Sequence, residues 1–265
     1  MTHKKFSLAE DLAIAFDMAD AADLISSSRY QSQDLVITTK PDNTPVTDAD
    51  KATEKAIREI LQNLRPADGV LGEEFGESQT GASRYWVIDP IDGTKNFMRG
   101  VPTWATLIAL IEDGEVILGV VSAPALARRW FATKGGGAFT SFNGAPARKI
   151  SVSQVSQLSD ASITYSDFEE WGERLPAFTS LLASCWRTRG LGDFWSHMLV
   201  AEGAADIAAE ASLALWDMAA LDIIVREAGG IFSSISGAPG PHHGSGLSTN
   251  ALLHEEVVRF LDGNK

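Results

Sequence analysis

The run Trp86-Val-Ile-Asp-Pro-Ile-Asp-Gly-Thr-Lys95 holds two carboxylates three residues apart, then a glycine and a hydroxyl. Its apolar start reads as a buried strand that delivers Asp89 to its carboxyl end, where Pro90 fixes a turn. Asp92 follows, with Gly93 and Thr94 free to open a helical turn. Buried like charges this close are very unfavourable unless something cationic lies between them. Lys95 is one candidate for that charge, but it stands one residue beyond the turn. A divalent ion fits better. Carboxylates, a backbone carbonyl and waters make an all-oxygen set suited to Mg2+ or Mn2+, and no His or Cys is close enough in sequence to favour zinc. The amides of Gly93 and Thr94 form a site for an anionic oxygen. A metal beside such a nest is chemistry for a phosphate.

Three other runs carry acids. Gly72-Glu73-Glu74 follows a short strand, so one glutamate can share the site, or both are solvated loop acids. Val46-Thr47-Asp48-Ala49-Asp50 puts two acids at a helix start, where N-capping accounts for Asp48 and first-turn electrostatics for Asp50. Leu215-Trp216-Asp217 precedes an apolar helix, which makes Asp217 an N-cap by default and a metal ligand only by association.

These residues need elements to bring them together. Ser7-Leu-Ala-Glu10 is a capping box, and Leu8, Leu12, Ala15, Phe16, Ala19, Ala22 and Ile25 follow at helical spacing, predicting a helix of about five turns. Residues 40–45 form a turn-rich loop, and a second helix starts near Asp48 and ends before Pro66-Ala-Asp-Gly69. The period then becomes that of strands, at 69–72 and 85–89, with 106–112 and 115–121 forming a hairpin about Asp113-Gly114. Strands at 129–133 and 138–142 continue the antiparallel run. Beyond the polar segment 143–157, a strand at 161–165 and helices at 194–201, 217–228 and 255–261 are predicted. The fold class is α+β, with a boundary near residue 150. Residues 1–150 form an N-terminal α+β half with the antiparallel sheet and most of the acids, and 151–265 a C-terminal α/β half.

Composition narrows the partners. The 265 residues are 45% apolar and 22% charged, ordinary globular usage with room for a sizeable core. Asp and Glu number 35 against 22 Lys and Arg, a net charge of -13, so no broad basic face for nucleic acid is expected. One cysteine, Cys185, excludes an internal disulfide framework. No apolar run has membrane-spanning length and Met1 to Phe6 leads into a helix without a signal-like run, so a soluble, cytoplasmic protein is expected.

In their order along the chain, Val46-Thr47-x-x-Asp50, Gly72-Glu73-Glu74, Asp89-Pro-Ile-Asp-Gly-Thr94 and Trp216-Asp217 resemble the motifs of the inositol monophosphatase family of Mg2+-dependent phosphatases. The resemblance covers nearly the whole chain. It implies a layered α/β/α/β/α sandwich, a homodimer, and two or three Mg2+ ions held by Glu73, Asp89, the Ile91 carbonyl, Asp92 and Asp217. It also implies that Thr94 and Asp50 pair to position and deprotonate the attacking water, with Glu73 in the catalytic set and Asp92, Gly93, Thr94 and Asp217 also touching substrate. Glu210, seven residues before Asp217, falls where family members place an acid that contacts substrate hydroxyls.

Arg189-Gly-Leu-Gly-Asp193-Phe-Trp195, with the 40–50 run, looks like the histidinol-phosphate phosphatase branch. An acid at Asp193 favours a cationic leaving group over a neutral polyol, unless Asp193 merely caps its helix. Histidinol, with an ammonium and an imidazole, is therefore the expected alcohol, and Ser166 and Arg189 join the candidate substrate residues. Inositol 1-phosphate and sugar phosphates remain the alternatives within the family. His197 and the His242-His243 pair read as structural or surface residues. A haloacid-dehalogenase-like reading of Asp48-Ala-Asp50 fails on Ala52 and on the lack of a long apolar strand before it. A non-catalytic scaffold would have lost a metal acid or Thr94, and kinase and dinucleotide motifs are absent from the sequence.

Overall fold

The computed structural model describes residues 6–41, 43–79 and 81–262. Expectations for residues 1–5 and for Asp42 in the 40–45 loop lie outside the described residues. Helix α1 (Leu8–Arg29) leads into a short hairpin of β1 (Ile37–Thr39) and β2 (Pro45–Thr47), then α2 (Asp48–Leu64). Strands β3 (Gly69–Gly72), β4 (Gly76–Ser78) and β5 (Arg84–Asp92), helix α3 (Thr94–Arg99), and strands β6 (Ala105–Glu112), β7 (Glu115–Ala123), β8 (Arg128–Thr133), β9 (Gly137–Phe142) and β10 (Arg148–Lys149) complete the first half. The second half runs β11 (Ser162–Tyr165), α4 (Leu175–Ser184), β12 (Arg187–Gly190), α5 (Asp193–Ala201), β13 (Ile207–Glu210), α6 (Leu215–Glu227), β14 (Ile231–Ser233), β15 (Gly246–Thr249) and α7 (His254–Leu261).

Among the described residues, eight strands form one sheet in the order β10-β9-β8-β7-β6-β5-β3-β4, antiparallel except for β3 beside β5. Five form a second, mixed sheet in the order β12-β11-β13-β15-β14. The Asp113-Gly114 turn has both residues left-handed (φ 52° and 82°), the geometry that keeps a two-residue hairpin in twist with its strands.

Period-two alternation decides the layers. Trp86, Ile88, Ile108 and Leu110 face α1 and α2 through Ala15, Met18, Ile57 and Leu61. Their neighbours Val87, Leu107, Ala109 and Ile111 point the other way, onto Phe194 and Met198 of α5 and Met218 to Val225 of α6. Helix α6 also packs on β14 and β15, and the outer face of the second sheet is closed by Phe178 and Leu181 of α4 and Val257 and Leu261 of α7. The result is an α/β/α/β/α sandwich. Each fully buried aliphatic or Phe side chain contributes about 1.5–3 kcal/mol, so these layers fix the strand ends rigidly.

Local caps differ from the sequence expectation. Thr47, not Asp48, caps α2: its Oγ1 accepts the N–H of Ala49 at 3.1 Å, and Asp50 returns the box by accepting the Thr47 N–H at 2.9 Å. Asp48 pairs with Arg29 at 2.8 Å instead. Asp217 is not the N-cap of α6. It is the third residue of the helix, and its carboxylate accepts the N–H of Ala214 at 2.7 Å. Helix α4 and strands β12 to β15 carry no period long enough to stand out in the sequence.

Candidate active site

Strand β5 delivers both of the first two acids. Residues three apart on a regular strand face opposite sides. Between Asp89, opposite Leu107, and Asp92, opposite Ala105, β5 has one residue more than β6, a bulge that turns both acids to one side. Gly93 then adopts φ 83°, and a Cβ there would lie 2.8 Å from the Thr103 carbonyl oxygen, so glycine alone permits the step from strand to α3. Among the described residues, Asp89, Asp92 and Asp217 place ligand oxygens within 4.8 Å of one another, on β5 and the first turn of α6.

Around this trio stand the other expected acids. Thr94 Oγ1 donates towards the Ile91 carbonyl at 3.1 Å and Asp50 at 3.4 Å. Asp50 is fully buried and accepts the Thr47 hydroxyl at 2.5 Å. The charge of Glu73 reaches Asp50, Asp89 and Asp217. Its carboxylate is paired at 2.6 Å with Lys40, which also meets Glu74 at 2.6 Å. Lys40 is a site residue that the sequence did not reveal, because it arrives on a separate hairpin.

The electrostatics ask for a cation. Burial, then the charges of Glu73, Asp92 and Asp217, pushes Asp89 well above the usual carboxylate range. Burial, then Asp193 and Asp217, does the same to Asp92. Burial pushes Asp217 up to about 7, with Glu73 and Glu210 adding to it and the Ala214 N–H opposing. A largely buried, hard, all-oxygen cluster with no His or Cys in it, Asp89 buried and Asp92 and Asp217 half-buried, fits a divalent ion of the Mg2+ class.

Carboxylates raised in the folded state keep protons that the unfolded chain has released, so they stabilise the metal-free fold below about pH 4 and lose that contribution as pH rises through about 7. A bound divalent ion replaces those protons. The gain in melting temperature from saturating Mg2+ therefore grows between about pH 5 and about pH 8, read by calorimetry. A gain that is flat or shrinks over that range would contradict the metal assignment.

Beyond the trio the cleft opens towards the second sheet. The carboxyl ends of β11, β12 and β13 deliver Ser166, the 190–193 segment and Glu210, the edge at which mixed α/β sheets bind ligands. They line two adjoining cavities of about 290 and 380 Å3 with Asp92, Gly93, Thr94, Lys95 and Asp193. Asp193 does not cap α5: it is the first helical residue, with φ 51°. Its carboxylate accepts Asn96 Nδ2 at 2.8 Å and its N–H goes to Ser166 Oγ at 3.0 Å. Burial, then Glu210 and Asp217, pushes Asp193 up to about 7. Glu210 meets the buried His197 Nε2 at 3.2 Å, and His197 Nδ1 meets Ser248 Oγ at 2.7 Å, in keeping with a structural histidine.

Arg189 is not brought in. It is exposed on the edge strand β12, its Nη1 donating to the Thr188 carbonyl at 2.7 Å, and it lines neither cavity. The lining also includes Asp167, Glu169, Glu170 and Trp171, which sequence reasoning missed. The signal was there: an acidic run directly after a short apolar strand.

Comparison with known proteins agrees with this geometry. Residues 7–262 match the inositol monophosphatase family. The chain belongs to that family. A histidinol-phosphatase of Mycobacterium tuberculosis is 54% identical over 96% of this chain and 98% of its own, and one of Streptomyces coelicolor is 53% identical over 96% and 97%. Among solved structures, an inositol monophosphatase of Zymomonas mobilis superposes with a TM-score of 0.83 at 34% identity, covering 97% of this chain and all (100%) of that one. The Thermotoga maritima inositol monophosphatase gives 0.85 at 28% identity over 96% and 98%. The layered sandwich is thus the family fold, and the family is generally metal-dependent, as the acidic cluster of this chain would suit.

Proposed function

We propose that this protein is a Mg2+-dependent phosphomonoesterase that hydrolyses L-histidinol phosphate to L-histidinol and inorganic phosphate, a step of histidine biosynthesis. The observation that carries the chemistry is the cluster of buried Asp89 with the half-buried Asp92 and Asp217 beside the Thr94–Asp50 pair. Glu73, Asp89, the Ile91 carbonyl, Asp92 and Asp217 would hold two or three ions, with Mn2+ able to replace Mg2+. Such ions neutralise the phosphate oxygens, acidify a water and stabilise the leaving alkoxide.

The chain's own groups do the rest. Gly93 and Thr94 amides receive a phosphate oxygen. Thr94 accepts the proton of the attacking water as its own hydroxyl proton passes to Asp50. Burial raises the Asp50 pKa and makes it a better base than an exposed aspartate. The water oxygen bonds to phosphorus, the phosphorus–alkoxide bond breaks, and the alkoxide takes a proton from solvent.

Asp193 and Glu210 give the leaving alcohol its counter-charge, with Ser166 at their side. The histidinol-phosphatases at more than half identity support this substrate. The halves 1–150 and 151–265 divide the work, the first supplying most metal ligands and the second the specificity residues and Asp217. The family resemblance further supports a homodimer, and a cytoplasmic location goes with the proposal; among the described residues no helix is long and apolar enough to cross a membrane.

Phosphate release with Mg2+ from histidinol phosphate, inositol 1-phosphate and fructose 1,6-bisphosphate tests the reading. Histidinol phosphate should give the highest kcat/KM, and preference for either polyol phosphate would overturn the substrate. Asp193→Asn keeps the Asn96 contact in shape but removes the charge. It should raise KM for histidinol phosphate about tenfold, the worth of one charge-assisted hydrogen bond, and leave inositol 1-phosphate nearly unaffected. Equal effects on both would remove the role of Asp193.

A further inference from the structure

The turn that carries Glu73 is gripped from behind by α2. Glu54 is fully buried, and its carboxylate accepts the N–H of Glu74 at 2.7 Å, the N–H of Phe75 at 3.3 Å and Nε of Arg58 at 2.7 Å. Arg58 Nη2 also donates to the Gly76 carbonyl, and its guanidinium lies 6.0 Å from the centre of the Phe75 ring. One turn of α2 therefore ties down Glu74, Phe75 and Gly76 in succession. A Cβ at Gly72 would fall 2.0 Å from Glu54 Oε1, so the carboxylate fills the space a side chain would take there. On its other side the turn is fastened to β5, where the Glu73 N–H donates to the Ile88 carbonyl at 3.2 Å, next to Asp89.

The need for such a grip is electrostatic. The charge of Glu73 is repelled by Asp89, Asp217 and Asp50, and Lys40 competes for its carboxylate. A free turn would relax away from the cluster. Charge-assisted bonds from two consecutive amides to a buried carboxylate oppose that movement. We propose that Glu54, braced by Arg58, is a positioning residue for the divalent-ion site, holding the 72–76 turn so that Glu73 stays at the cluster. This rests on the reading of Glu73 as a metal ligand.

The test uses the full chain after chelator treatment, titrated with Mn2+ in a calorimeter, with Glu54→Gln, Arg58→Met and Glu73→Gln beside the parent. Glu54→Gln should weaken Mn2+ binding by about tenfold or more, as outer partners of metal ligands do, while KM at saturating metal stays the same. A merely structural Glu54 would lower the melting temperature of the metal-free protein and leave Mn2+ affinity within about twofold; that result, with Glu73→Gln weakened, overturns the inference alone. If Glu54→Gln does not fold, Arg58→Met decides in the same way, by weaker or unchanged Mn2+ binding. Unchanged Mn2+ binding by Glu73→Gln would overturn the ligand reading, and the inference with it.

Discussion

Asp92→Asn loses at least about a thousandfold in kcat and keeps its fold. Ion-stabilised charge in the transition state is worth several kcal/mol, and each 1.36 kcal/mol is about tenfold in rate. Asp92 is where that loss is cleanest. Its Oδ2 accepts the Phe194 N–H at 2.8 Å, a bond that an asparagine carbonyl oxygen preserves. The substitution also removes a buried charge that Asp193 and Asp217 repel, so the metal-free variant melts no lower than the parent. Steady-state phosphate release and calorimetry on the same samples check both halves. Full activity, or loss of the folded state, would contradict the role given to this side chain.

Thr94→Val should cost about 10^2–10^4 in kcat, the range for a positioned proton-transfer group, with KM and Mn2+ affinity little changed. The hydroxyl sits between the Ile91 carbonyl and Asp50 and is the link from the cluster to the buried base. Valine keeps the branched shape of threonine at the first position of α3. Thr94→Ser restores the hydroxyl and should recover most of the rate. Asp50→Asn is expected to match Thr94→Val, and the double variant to be no worse than either alone, because the two act as one unit. Additive losses, or a Thr94→Val enzyme of near-normal kcat, would separate Thr94 from the proton path.

Much of the site was legible because its signals are local. Asp89 to Thr94 is a strand end and a helix start within six residues, and the Ser7–Glu10 box lies within one turn. What failed to show depends on register or on distant segments. The bulge that turns Asp92 to the side of Asp89 exists only against β6. Lys40 and Glu54 act on the Glu73 turn from other elements; the 40–50 run marks the branch but not the pairing of Lys40 with Glu73, and nothing near Glu54 marks it. Arg189 read as part of a glycine-rich turn, yet it extends as an edge strand beside β11, which carries its side chain out to solvent. Asp193 read as a substrate contact with a helix cap as the alternative, and its left-handed backbone and the bond from Asn96 set the cap aside.

Phosphate release from histidinol phosphate, by protein stripped with chelator and then given Mg2+ in steps, bears most directly on the acidic cluster. Activity should be lost on stripping and return with Mg2+ in the parent, while Asp89→Asn and Asp217→Asn stay inactive at every concentration. Undiminished turnover in chelator, or full recovery by either variant, would contradict a hydrolysis driven by ions held at Asp89, Asp92 and Asp217.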